Sequence, residues 1–201
     1  MADADRVFFP VLARREAYSV KANGNFYAYS HYRAEVAEDC KHRCVYCDAH
    51  ADDAGGAEAM QLDHFRPESF PEFTHLVNDP GNLHYACGRC NLWKSDCWPA
   101  RGTDETHNGT EGFVNPFSED RLHYFEVGLD GTIRALRPPA AYMIRLLRLD
   151  REYLRKLREY RQLKAAWQSR VRELSEQHNA GAAIPQGELI RTLEALSALL
   201  G

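Results

Sequence analysis

Hydrophobic positions change period along the chain. Residues 1–30 are rich in aromatics but hold no period, with Asn23-Gly24 as a turn signal. Residues 31–40 predict a short helix that leads into the first cysteines. Met60, Leu62 and Phe65 predict a short strand within residues 57–65. Residues 67–81 carry three Pro and end on Gly81, which makes them a loop. Residues 82–86 read as a second strand and residues 90–96 as a helix that Pro99 keeps from running further. Residues 101–112 are polar and Gly-rich, hence a surface loop. Residues 122–127 and 132–136 flank Gly128-Leu129-Asp130-Gly131, a hairpin signal.

After Pro138-Pro139 the period becomes helical. Tyr142, Ile144, Leu146, Leu147 and Leu149 suit one helix, and Asp150 is the expected N-cap of the next. In that helix Leu154, Leu157, Arg161, Lys164, Trp167, Val171 and Leu174 form an amphipathic face interrupted by two cations. Gly181, Pro185 and Gly187 break it, and Leu189, Leu193, Leu196 and Leu200 make a last short helix. Nothing repeats at solenoid spacing.

With 201 residues and 44% hydrophobic content, the chain suits one domain, or one compact domain with a helical appendage. No apolar run reaches the ~18 residues of a membrane helix. The acidic start, Met1-Ala2-Asp3-Ala4-Asp5-Arg6, lacks the apolar core of a secretory signal. A cytoplasmic, reducing setting is therefore expected, where six Cys serve metal or catalysis rather than disulfides. The net charge of −4 conceals a segregation: residues 134–172 hold twelve Lys/Arg against three Asp/Glu, and the acidic excess lies elsewhere. Such a basic segment fits either a nucleic-acid contact or a solvated Arg-rich helix.

Two Cys-x-x-Cys pairs occur, Cys44-Val45-Tyr46-Cys47 and Cys87-Gly88-Arg89-Cys90. A two-residue spacer lets a tight knuckle aim both sulfurs at one ion, and two knuckles complete a tetrahedral zinc shell. No βαβ context supports a redox role for either pair. Cys40 and Cys97 fall outside the spacing and read as buried or free thiols. His42 and His50 are alternative ligands that the shell does not need. The 39 residues between the knuckles exceed ribbon spacing, so an insertion sits there.

That insertion contains Gln61-Leu62-Asp63-His64-Phe65-Arg66-Pro67, then Asn82-Leu83-His84-Tyr85-Ala86-Cys87, and Asn91-Leu92-Trp93-Lys94 follows the second pair. An Asp-His strand, an Asn opening the next strand and an Asn on a helix, all between zinc knuckles, resemble the HNH endonucleases and their ββα-metal motif. The matching residues are His64, Asn82 and Asn91, over about residues 40–97. With Cys44–Cys47, His64-Phe65-Arg66-Pro67 and the helical C-terminal region, the chain looks most like the HNH subunit of Septu-type bacterial anti-phage systems, which works with a separate ATPase. No Gly-x-x-x-x-Gly-Lys-Ser/Thr phosphate loop is present, so such an ATPase would be another chain.

The resemblance implies an α+β fold: a small zinc-knuckle ββα-metal core, a short β-hairpin and a C-terminal helical region. It divides the chain into an irregular arm (1–30), a nuclease domain (31–136) and a helical region (137–201). It also implies a metal-dependent endonuclease acting on nucleic acid, DNA in the first instance, with His64, Asp63, Asn82 and Asn91 in the catalytic set. Asp63 supplies a carboxylate and Asn91 a carbonyl oxygen, which suits a hard ion such as Mg²⁺ or Mn²⁺. His64, neutral near pH 7, can take a proton from water. Asn82 in the resemblance is no ligand but a brace for the loop that aims His64. Adjacent residues on a regular strand face opposite sides, so Asp63 and His64 share a site only if the strand ends or bulges there. Arg66, Lys94 and the helix-spaced Arg151, Arg155, Arg158 and Arg161 are candidate phosphate contacts. His84 alternates with Asn82 and either faces the site or packs. A competing reading is a non-catalytic zinc-ribbon module that binds nucleic acid, or an adaptor that docks through its C-terminal helices.

Overall fold

A computed structural model of the chain describes residues 6–100, 102–181 and 183–200. The acidic start at 1–5, read above as no secretory signal, lies outside the described residues. The fold is α+β, with two small antiparallel hairpins and six α-helices among the described residues.

The first hairpin pairs β1 (Met60–His64) with β2 (Leu83–Cys87), from Met60↔Cys87 to His64↔Leu83. All five β2 residues are buried, with His84 packed against Phe65, Tyr46 and Phe117. Helix α1 (Arg33–Asp39) lies against β2 and brings Val36 and Ala37 into the core. Helix α2 (Ala51–Ala54) is a single turn after the first knuckle, ended by Gly55 in the left-handed region. Helix α3 (Gly88–Lys94) follows β2 without a loop and folds back over β1.

Two boundaries differ from expectation. Asn82 does not open the second strand; it closes a 3₁₀ turn, Pro80–Asn82, in which the Asp79 side chain accepts from the Gly81 N–H. Helix α3 begins two residues before Cys90, so the second knuckle is itself the first helical turn.

The second hairpin, β3 (Phe125–Val127) and β4 (Ile133–Ala135), turns through Gly128–Gly131 as expected. Helices α4 (Ala140–Leu146), α5 (Glu152–Asn179) and α6 (Gln186–Leu200) complete the chain. The N-cap of α5 is Arg151, not Asp150, and no side chain caps it. Gly181, at positive φ, ends α5, whereas Gly187 lies inside α6 and breaks nothing. At fifteen residues α6 is longer than its leucine stripe suggests.

The arm is irregular but belongs to the core. Phe8, Phe9 and Leu12 are buried, and Arg14 donates to the carbonyls of Pro80, Gly81 and Leu83 while stacking 3.7 Å over the Phe117 ring. No helix among the described residues is long and apolar enough to cross a membrane.

Candidate zinc centre and histidine site

The first knuckle hangs on β2 by the bond from Val45 N–H to Tyr85 O (3.0 Å), while β2 runs directly into the second. The two strands of sequence, 39 residues apart, thereby meet. The sulfurs of Cys44, Cys47, Cys87 and Cys90 all lie within 4.8 Å of one another, and all four residues are buried. A tetrahedral zinc at about 2.3 Å from each sulfur sets neighbouring sulfurs about 3.8 Å apart. Cys47 Sγ and Cys87 Sγ stand 3.8 Å apart. Unaided, the four thiols are in electrostatic conflict. Burial pushes Cys44 up, bonds to Cys44 and its neighbours push Cys90 up, and the same bonds pull Cys87 down. A dication removes the conflict by making all four thiolates. The donor set fits zinc.

The face of β1 that carries Gln61 and Asp63 meets α3. Asn91 Nδ2 donates to Gln61 Oε1 (2.7 Å), and one turn later Lys94 Nζ donates to Asp63 Oδ1 (3.0 Å). Lys94 also donates to His64 O (2.8 Å), and the Tyr46 hydroxyl donates to Asp63 Oδ2. Asp63 is 4% exposed and Lys94 fully buried. Burial pushes the Asp63 carboxyl up, and the Lys94 charge and the Tyr46 bond pull it back only in part.

This arrangement corrects two expectations. Lys94 is no phosphate contact, because its ammonium is sealed inside the protein. The Asp63–Asn91 pair does not fit as an open Mg²⁺ or Mn²⁺ site either. Both Asp63 oxygens already hold donors, and a divalent ion would have to displace Lys94. His84, opposite Asp63 in the hairpin, packs: its ring stacks on Phe65 at 4.3 Å, and burial holds its pKa well down.

His64 faces the other way. The strand stays paired through His64↔Leu83, so pleating sends the His64 ring to the face opposite Asp63. His64 Nε2 lies 2.8 Å from Val77 O. A carbonyl only accepts, so Nε2 carries a proton, and in the neutral ring Nδ1 is the nitrogen with the lone pair. The Tyr29 ring meets the imidazole edge-on at 5.0 Å, and the Glu68 carboxylate stands 3.9 Å from Nδ1. The residue after next is clamped: Arg66 N–H donates to Asn82 Oδ1 (2.9 Å) and Asn82 Nδ2 donates to Arg66 O (3.0 Å). With Phe65 N–H on Asn82 O (2.8 Å), the chain leaving β1 has little freedom.

The basic candidates separate. Arg66 is half-buried, its guanidinium bonded to the carbonyls of Thr103 and Asp104. Arg158 is 3% exposed and donates to Gly131 O and Leu149 O. Arg161 pairs with Asp48 (2.9 Å) and bonds Val7 O. Arg151 is half-buried with Nη1 on the carbonyls of Leu147 and Arg148. Of the four arginines expected to share a phosphate-binding face, Arg155 alone is exposed. Helical spacing grouped them, but Arg151, just before the helix, and Arg158 and Arg161 on it bond main-chain carbonyls and Asp48.

Sequence reasoning missed Tyr46, Glu68, Tyr29 and the Val77 carbonyl. Tyr46 lay in the first knuckle and Glu68 four residues after His64. A main-chain carbonyl has no side-chain signature at all. Against known proteins, no curated protein matches the chain. The model of the HNH endonuclease family matches residues 44–96, a stretch that holds both knuckles, β1, β2, α3, His64 and Asn82.

Proposed function

We propose that the chain is an endonuclease of HNH type that hydrolyses phosphodiester bonds of nucleic acid, DNA in the first instance, with His64 as general base. The observation that carries this reading is the held imidazole: Nε2 tied to Val77 O, and Asn82 clamping the chain beyond. In the neutral ring Nδ1 accepts a proton from the water that attacks phosphorus, and as the P–O bond breaks the leaving sugar oxygen takes a proton from solvent water and departs as an alcohol. Asn82 acts only by fixing where the ring points. No step is routed through a catalytic metal, because Asp63 as arranged is buried and bonded to Lys94 and Tyr46.

A zinc module that only binds nucleic acid, the competing reading, has no use for a histidine fixed in one tautomer. The division into arm, nuclease domain and helical region at 1–30, 31–136 and 137–201 belongs to this proposal. So do a cytoplasmic setting and a place as nuclease subunit of an anti-phage complex with a separate ATPase. The last is supported by the sequence resemblance alone. The test is cleavage of plasmid and of RNA by wild type and His64→Ala, in Mg²⁺, Mn²⁺ or EDTA, with and without the ATPase. Loss of a positioned base costs ~10²–10⁴-fold. Equal cutting by both proteins would refute the assignment.

A further inference from the structure

The sequence offers Arg151 as a phosphate contact, yet the structure places it in a cleft that two of the four clustered cysteines also line. Arg151 lines a cleft of about 880 Å³ together with Cys47 and Cys87. Its guanidinium stacks 5.1 Å over the ring of Trp93, which lies three residues after Cys90 on α3. Nη1 bonds the carbonyls of Leu147 and Arg148, while Nε is buried with no hydrogen-bond partner. A buried N–H without an acceptor is costly, and the lining of this cleft supplies the sulfurs of Cys47 and Cys87 besides the Asp53 carboxylate.

The charge balance points the same way. Zinc with four thiolates carries two net negative charges in a buried setting, where an uncompensated charge is unfavourable. Arg151 is also the N-cap of the 28-residue α5, whose positive end adds to that potential beside the cleft.

We propose that Arg151 is the counter-ion of the zinc tetrathiolate, and that zinc loading thereby fastens the start of α5 to the zinc-knuckle core. The inference does not depend on the nuclease reading, since it concerns the structural metal alone.

The experiment follows zinc release from the full chain into a chromogenic chelator, for wild type, Arg151→Met, Arg151→Lys and Arg148→Met. Partners behind metal ligands tune metal affinity by 10–100-fold. Arg151→Met is therefore expected to release zinc at least about tenfold faster, with Arg151→Lys in between because it keeps the charge but not the planar fork. Arg148 stacks on the same Trp93 ring at 5.2 Å but does not line the cleft, so Arg148→Met should match wild type. Hydrogen exchange on the same samples should show Arg151→Met opening the first turns of α5 while its far end is unchanged. Release by Arg151→Met at the wild-type rate overturns the proposal, as does equal acceleration by Arg148→Met. Should Arg151→Met not fold, Arg151→Lys decides: release at the wild-type rate with unchanged protection at the start of α5 overturns it.

Discussion

Lys94→Met tests the interior of the ββα unit most directly. The substitution keeps the side chain's length and removes the ammonium that joins Asp63 Oδ1 and His64 O. Breaking a buried ion pair by deleting one partner costs about 3–5 kcal/mol. Asp63 has an escape, which is to take up a proton. Measured from the ordinary carboxyl value of 3.8, that costs about 4 kcal/mol at pH 7 and about 2 kcal/mol at pH 5. The expected destabilisation is therefore about 3–4 kcal/mol at pH 7, shrinking to about 2 kcal/mol at pH 5. The sign follows from linkage. Losing Lys94 raises the folded-state pKa of Asp63 further above 3.8, so the folded variant holds a proton that the unfolded chain releases. Its stability is highest below 3.8 and falls as pH rises towards the raised value.

Urea unfolding at fixed free zinc, followed by fluorescence of Trp93 and Trp98 beside the pair, measures both numbers. The double variant Asp63→Asn/Lys94→Met removes the buried charge as well and should recover about 2 kcal/mol at pH 7. A Lys94→Met cost below about 1 kcal/mol without extra pH dependence would refute the argument. Asp63 would then not depend on Lys94 for compensation, and the carboxylate would be open to a divalent ion after all.

Three further outcomes follow from the packing. Cys87→Ser should abolish stoichiometric zinc binding and unfold the hairpin and α3, since structural zinc supplies folding free energy directly; elemental analysis with circular dichroism reads this. Gly131→Ala should destabilise by more than about 2 kcal/mol in urea unfolding, because Gly131 sits at φ 74° and an added Cβ would overlap the Arg155 carbonyl oxygen of α5. Burial and then its bond to Asp39 push the Tyr18 phenol up to about 12 from 10.0. Wild type should thus lose about 1–2 kcal/mol more stability than Tyr18→Phe between pH 10 and 12, after discounting for the ring's partial exposure, with the stabilisation complete below pH 10.

What the sequence made legible was whatever local spacing dictates. Cys-x-x-Cys fixes a knuckle regardless of context, so the tetrad was readable across an insertion of 39 residues. The Asp-Gly turn and the leucine periods located the second hairpin and the three C-terminal helices for the same reason. Boundaries slipped where a side chain bonded its own backbone: Asp79 reaching Gly81 N–H turned the start of the expected strand into a 3₁₀ turn.

The candidate site was legible in its members but not in its allegiances. Sequence spacing says which residues share a face; it does not say what that face touches. Arg158 and Arg161 on α5 and Arg151 at its N-cap lie on the same side of the chain's basic segment, and a tally of charges makes it look like a surface for phosphates. In the fold that side covers the zinc knuckles and the second hairpin, so its guanidinium groups serve main-chain carbonyls, Asp48 and the zinc cleft. Lys94 and Asp63 show the same limit at closer range. A cation one turn from Asn91 and a carboxylate beside His64 each suggest chemistry with an outside ligand. Placed 3.0 Å apart with no water between them, they complete each other instead. Strand pleating then decides the rest. Because Asp63 turns to one face of β1 to meet Lys94, His64 turns to the other, where its Nε2 meets Val77 O and its Nδ1 stands 3.9 Å from the Glu68 carboxylate.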